Sequence, residues 1–156
     1  MPTATKSGRF DISLESETKK IAKKFSTILK KGDVVFLYGE IGVGKTTFIR
    51  NLINNFQKKN GIKLTEVTSP TFNLVNEYEV RNLKIEHYDL FRLKNYNDIK
   101  NIGLFENSAD VLTLIEWPEK IENKPKNRIN LIFKYKKNLE KRFLTIKSLN
   151  KKYEFK

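Results

Sequence analysis

Apolar residues fall along this chain in stretches of different period. Val34-Val35-Phe36-Leu37-Tyr38 is apolar throughout and carries no charge, and Val111-Leu112-Thr113-Leu114-Ile115 is nearly so. Short unbroken runs of this kind are the pattern of strands covered on both faces. Ile21, Ala22, Phe25, Ile28 and Leu29 recur instead at helical spacing with lysines opposite, and Phe48, Ile49, Leu52 and Ile53 make a second such stripe. The first helix is predicted to start at Ser13-Leu14-Glu15-Ser16-Glu17-Thr18. There Ser13 or Ser16 can cap free amides, and the glutamates suit the positive end of the dipole. Lys31-Gly32-Asp33 ends that helix and Asn60-Gly61 ends the next.

Strict alternation marks the remaining strands. Phe72 to Tyr78 alternates apolar and polar, Arg81-Asn82-Leu83 reads as a hairpin turn, and Lys84 to Leu93 as the returning strand. Such an antiparallel pair beside buried runs predicts a mixed sheet. Arg128 to Tyr135 and Arg142 to Ile146 predict a terminal hairpin. A short helix is expected over Asn97 to Ile102, with a turn into another after Gly103-Leu104-Phe105-Glu106. The proline in Val67-Thr68-Ser69-Pro70-Thr71-Phe72 disfavours helix at Ser69 and predicts an extended, hydroxyl-rich segment.

Between the first apolar run and the second helical stripe lies Gly39-Glu40-Ile41-Gly42-Val43-Gly44-Lys45-Thr46-Thr47. This is the spacing G-x4-G-K-T in the strand–loop–helix setting that a phosphate-binding loop requires. Gly39, Gly42 and Gly44 let the backbone turn tightly and approach a ligand. Successive amides of Gly39, Ile41, Gly42, Val43, Gly44, Lys45, Thr46 and Thr47, with the helix dipole, make a cavity for an anion. Lys45 adds a point charge toward the β- and γ-phosphates, and Thr46 offers its hydroxyl to Mg²⁺.

Composition narrows the picture. The chain has 156 residues, 38% hydrophobic and 31% charged, which suits a single domain with a substantial core. Only residues 1–8 and 151–156 look loosely held. No apolar run approaches a membrane span, no apolar segment follows the basic N-terminus, and cysteine is absent. Together these point to a cytoplasmic protein with no membrane partner and no disulfide. The formal net charge of +13 raises RNA or DNA as a partner, against the plainer reading of a lysine-rich solvated surface.

A phosphate loop with Mg²⁺ needs carboxylates, typically at the end of a strand beside the loop strand. Glu116 directly follows the run ending at Ile115, and Asp89 follows His87-Tyr88 in the hairpin strand. Both also fit strand-end surface acids. Trp117 fits a packing residue as well as a nucleotide contact, and His87 fits a structural histidine better than a general base.

Taken together, several blocks resemble one family. Tyr38 to Phe48 is followed by Ser69-Pro70-Thr71-Phe72 with Leu74, Val75 and Tyr78. Then come His87-Tyr88-Asp89-Leu90-Phe91-Arg92-Leu93, Gly103-Leu104 with Glu106, and Ile115-Glu116-Trp117-Pro118-Glu119. In order and spacing these resemble the TsaE family (older name YjeE), small bacterial ATPases of tRNA threonylcarbamoyladenosine synthesis. The phosphate loop alone is unspecific; the other blocks carry the likeness, which runs from about Ser13 to Arg142. It implies an α/β, three-layer fold of the P-loop NTPase type with a mixed central sheet. It implies ATP/ADP and Mg²⁺ as ligands, weak intrinsic hydrolysis, and partnership with TsaD and TsaB, with tRNA in the complex. By the same resemblance Thr46 and Glu116 hold Mg²⁺. Asp89 lies near the metal and acts in catalysis with Lys45, while Glu15, Thr18, Trp117 and Arg142 border the nucleotide. Ser69 and Thr71, beside the γ-phosphate position, either cap a turn or serve as a switch. Phe91 stands where tyrosine is usual and Val43 where alanine is usual; both keep the apolar character of the position. Two other function classes stay in view: a small-molecule kinase, which lacks an arginine-rich lid segment here, and a nucleotide-regulated RNA-binding protein.

Overall fold

The computed structural model describes residues 6–70, 74–136 and 138–149. Within them the chain folds as β1 (Lys6–Asp11), α1 (Glu15–Ile28), β2 (Val34–Tyr38), α2 (Lys45–Lys59), β3 (Val75–Val80), β4 (Leu83–Asp89), α3 (Tyr96–Lys100), β5 (Leu112–Glu116), β6 (Arg128–Lys136) and β7 (Lys141–Ser148). The strands join in one seven-stranded sheet in the order β1-β7-β6-β2-β5-β4-β3. The four central strands run parallel, β6 to β2 to β5 to β4. The rims are antiparallel, with β1 on β7, β7 on β6, and β3 on β4. The sheet is mixed, as the alternating hairpin pattern predicts.

Side chains alternate across the sheet with period two, and the central strands bury both faces. Val35 and Leu37 of β2, Leu112 and Leu114 of β5, and Ile85 of β4 turn to one face, where α1 and α2 lay down Phe25, Phe48, Ile49, Leu52 and Ile53. Phe48 packs edge-on against Phe25 and Phe133, with ring centroids 5.7 and 6.1 Å apart. Each such fully buried ring or aliphatic side chain contributes about 1.5–3 kcal/mol. Val34, Phe36, Tyr88 and Ile115 turn to the other face, where Leu90, Leu93, Ile99 and Ile121 cover them. That covering is thinner, because α3 is five residues long and residues 101–110 form turns. The second short helix expected after Gly103 does not form. Phe105 takes positive φ (71°), and only single-turn bonds such as Glu106 N–H to the Gly103 carbonyl hold the segment.

Other departures from the sequence pattern are local. Neither Ser13 nor Ser16 caps α1; Leu14 stands at the N-cap with no side-chain bond, and the Ser13 hydroxyl instead accepts the Arg142 amide at 3.1 Å. The segment from Lys6 to Asp11, whose residue pattern predicts no element, is the edge strand β1. The predicted strand start at Phe72 lies outside the described residues, which begin again at Leu74. Among the described residues no helix is long and apolar enough to cross a membrane.

Candidate functional site

The site is built at the carboxyl edge of the parallel strands, where β2 ends and the glycine loop leads into α2. Three glycines take positive φ there: Gly39 (148°), Gly42 (79°) and Gly44 (118°). Gly39 is also closely packed. A Cβ on it would come within 2.8 Å of a Val43 methyl and 2.9 Å of the Phe133 carbonyl, so no other residue fits. Val43 is fully buried and points inward, and its amide donates to the Glu40 carbonyl at 3.3 Å. Gly44 has open space where a side chain would stand.

α2 begins with no side-chain cap and no acid in its first turn. Its first amides therefore face the cavity without an anionic partner from the chain, as an anion site requires. The Lys45 ammonium donates to the Gly39 carbonyl and lies 4.1 Å from the centre of the Trp117 ring. Burial pushes the Lys45 pKa down, and the nearby charges of Glu116, Asp89 and Glu119 pull the other way. Trp117 is held in the left-handed region (φ 58°) and packs at 4.9 Å on Phe91.

Register brings the acids to the same place. Leu37 of β2 pairs with Glu116 of β5, and Glu116 pairs with Asp89 of β4. Both therefore end central parallel strands, Glu116 on β5 beside the loop strand and Asp89 on β4, one strand further out. By the two-residue period, Ile85, His87 and Asp89 share the face of α2, as do Leu112, Leu114 and Glu116. Glu116 is buried, and its two oxygens have different neighbours. Oε2 accepts from His87 Nε2 at 2.7 Å and from the Ser69 hydroxyl at 3.1 Å. Oε1 accepts from the Thr46 hydroxyl at 3.4 Å, and the Thr46 and Ser69 hydroxyls are 2.9 Å apart. Asp89 is half-buried and accepts the Phe91 amide at 3.0 Å. Burial raises its pKa, the Phe91 amide lowers it, and the Glu116 charge raises it further.

A cavity of about 170 Å³ is lined by Ile41, Gly42, Gly44, Lys45, Thr46, Thr47, Ser69, Asp89, Glu116 and Trp117. The fold thus gathers most of the residues singled out in the sequence. Gly39, Val43, Glu15, Thr18 and Arg142 are not among its lining. Glu15 is exposed and Thr18 buried on α1, and the Arg142 guanidinium lies 5.7 Å from the centre of the Tyr135 ring. Thr71 lies outside the described residues. Two further contacts reach the site: His87, which the sequence marks as a structural histidine, bonds Glu116, and the Tyr135 hydroxyl, which no motif marks, donates to the Gly42 carbonyl at 2.7 Å. Strand alternation in β4 could have placed His87 with Asp89; nothing local could have brought Tyr135 to the loop.

The donor set suits a nucleotide with its cation. Amides at a helix start and a lysine suit phosphate oxygens. Among the described residues no three His, Cys, Asp or Glu gather at one point, so a cation here would rely on the Thr46 hydroxyl, the two acids and oxygens of its ligand. That is the way Mg²⁺ is usually held.

A strand, a glycine loop and a helix on a mixed sheet make the architecture of the P-loop NTPase-like α/β proteins. A crystal structure of YdiB from Bacillus subtilis has the same fold, with a TM-score of 0.72 and 28% identity over 96% of this chain and 90% of that one. Residues 12–143 match the family model described as threonylcarbamoyl adenosine biosynthesis protein TsaE, and the chain belongs to that family. Among curated relatives, the protein named tRNA threonylcarbamoyladenosine biosynthesis protein TsaE in Rickettsia felis is 45% identical over 109 residues, 70% of this chain. The match spans 61% of that relative's length. The protein of the same name in Bacillus subtilis is 33% identical over 141 residues, covering 88% of this chain and 84% of that one.

Proposed function

We propose that this chain binds ATP with Mg²⁺ at the Gly39–Thr47 loop and hydrolyses it slowly. We further propose that it serves tRNA threonylcarbamoyladenosine biosynthesis by acting on the TsaD–TsaB pair. The observation that carries the nucleotide reading is the convergence of Lys45, Thr46, Asp89 and Glu116, from three elements, on one cavity at an uncapped helix start. The pathway rests on the family and on the names of its relatives.

Each residue then has a stated task. The α2 amides and Lys45 receive the phosphate oxygens, for which Lys45 leaves the Gly39 carbonyl. Thr46 and Glu116 present oxygens to the cation, which supplies neutralisation of phosphate charge. Asp89, nearby and accepting the Phe91 amide, orients the attacking water. Slow hydrolysis fits this set: Glu116 Oε2 already accepts two hydrogen bonds, so Asp89 works without a second free carboxylate.

The test has two parts. Fluorescent ATP and ADP analogues are titrated with and without Mg²⁺. Hydrolysis is then followed for the chain alone, with TsaD–TsaB, with small phosphate acceptors, and with RNA. Tight Mg²⁺-dependent binding and a rate raised by TsaD–TsaB are expected. A folded chain that binds no nucleotide overturns the reading. A rate raised only by an acceptor makes the protein a kinase, and one raised only by RNA makes it an RNA-binding protein.

A further inference from the structure

His87 is the chain's single histidine, and none of the tasks above uses it. It lies in β4, and its side chain is fully buried. Its two nitrogens differ: Nε2 is 2.7 Å from Glu116 Oε2, while Nδ1 has no hydrogen-bond partner among the described residues. A proton on Nδ1 would be buried without an acceptor, whereas a proton on Nε2 meets a carboxylate oxygen. The ring therefore donates through Nε2. It pairs across to Leu114, two residues before Glu116 and on the same face of the sheet, so the ring reaches along the strand to the carboxylate.

That contact decides which oxygen Glu116 offers. His87 and Ser69 both donate to Oε2, which leaves Oε1 facing the Thr46 hydroxyl. Ser69 comes from a segment without regular structure, while His87 is fixed in a central strand. We propose that His87 is a positioning residue, whose Nε2–H pins Glu116 so that Oε1 stays aimed at Thr46. The inference rests on the Mg²⁺–nucleotide reading above. Groups that orient a metal ligand in this way typically change metal affinity about 10- to 100-fold when removed.

The test compares three variants in the 156-residue chain. His87→Leu fills the space and removes the donor. His87→Gln carries an amide with reach like that of Nε2, and His87→Asn carries one too short. Binding of a fluorescent ADP analogue is titrated against Mg²⁺ and repeated in EDTA, with thermal melting to confirm folding. His87→Leu and His87→Asn are expected to need about tenfold more Mg²⁺, with affinity in EDTA within about twofold of the parent. His87→Gln should recover most of the loss. If His87→Leu does not fold, the contrast between Gln and Asn decides. In the unmodified chain, nitrogen chemical shifts of the lone imidazole should report the tautomer protonated at Nε2.

An unchanged Mg²⁺ requirement in the folded Leu and Asn variants overturns the inference, as does an equal loss in EDTA or a ring protonated at Nδ1. In those cases Mg²⁺-dependent binding by the parent still stands, and the nucleotide reading with it. A parent chain without Mg²⁺-dependent binding overturns both.

Discussion

The parallel centre of the sheet and its antiparallel flank are built from the same kinds of residue but treat polar groups differently. In the centre, β2, β5 and most of β4 are buried on both faces. There His87 and Glu116 are buried against each other, and Glu86 accepts the Tyr88 hydroxyl at 2.9 Å. On the antiparallel side, β7 and β6, the last of the parallel strands, alternate buried with open positions, and cations rest on aromatic faces at the surface. Arg9 and Lys136 lie 4.3 and 5.2 Å from the centre of the Phe143 ring. Contacts of that exposed kind are worth about 0.5–1 kcal/mol each. Buried charge therefore lies in the centre, where it can act on a ligand. Charges act strongly on a ligand only where water is displaced, and only the centre displaces water at a point where a loop and a helix start open. Changing a charge in the centre should therefore alter ligand chemistry more than stability, and the flank should act on the site only through a contact that reaches the loop.

The largest effect is expected for Lys45→Ala. The phosphates lose their cation while the loop backbone, set by its glycines, keeps its shape. ATP affinity should fall about 100-fold or more, equivalent to about 3 kcal/mol. Stability should hold, because burial already disfavours the ammonium, as its lowered pKa shows. Equilibrium titration with a fluorescent nucleotide and a thermal melt check both points. Unchanged affinity in a folded variant would remove the phosphate-loop assignment and the centre's special standing.

Next comes Glu116→Gln, which sharpens the comparison by separating charge from shape. The amide oxygen can still accept from His87 and Ser69, so the fold should survive. A hard anionic ligand is lost, and Mg²⁺ depends on such ligands. Affinity for ATP with Mg²⁺ should fall about 10- to 100-fold, and affinity in EDTA should change little. Equal loss in both conditions would make Glu116 a support of the fold or of the nucleotide itself.

Asp89→Asn should lower hydrolysis about tenfold and leave ATP binding nearly intact, because a carboxylate beside the transferring group matters most as charge develops. Stability gives a second check. The folded-state pKa of Asp89 lies above its unfolded value, so its contribution is present in acid and lost as pH rises through the raised value. At neutral pH the ionised, half-buried group is a cost, and Asn removes it. The variant should be as stable as the parent at pH 7 or more so, by under about 1 kcal/mol after screening by solvent. That advantage should vanish on acidification below the ordinary carboxylate range. Urea melts across the pH range would show it, and normal hydrolysis with lowered stability would make Asp89 a strand-end cap.

How much of this is written locally in the chain varies by element. The buried runs at Val34 and Val111, the two helical stripes and the hairpin signal around Arg81 are local in period, so they can be read directly. The loop and Glu116 are legible for the same reason, since each follows a buried run and ends of parallel strands meet; Asp89 ends β4 short of the strand end predicted at Leu93. β1 is not legible, because Lys6–Asp11 is a mixed sequence whose strand is defined by pairing with β7 far along the chain. The missing cap at Ser13 is of the same kind, since that hydroxyl is taken by Arg142 across the fold. His87 sits between the two cases. Its place on the face of Asp89 follows from strand period, but its bond to Glu116 depends on the pairing of β4 with β5.

Tyr135 depends wholly on such pairing, and it sets the smallest expected effect. Tyr38, the residue before the loop, pairs with Ile132 of β6. β6 runs on past the end of β2, so Tyr135 overhangs the loop. Its hydroxyl donates to the Gly42 carbonyl, and a Cβ on Gly42 would sit 3.5 Å from that same oxygen. The ring also takes the Arg142 guanidinium at 5.7 Å, which links Arg142 to the loop through Tyr135. Tyr135→Phe keeps the ring and deletes one exposed hydrogen bond, worth about 0.5–1.5 kcal/mol. Nucleotide affinity should fall about two- to fivefold, alike with and without Mg²⁺, because the loop loses a brace and no ligand of the cation. A loss confined to the Mg²⁺-bound state would instead tie the flank to the metal, and the division between a chemical centre and a covering flank would fail at this residue.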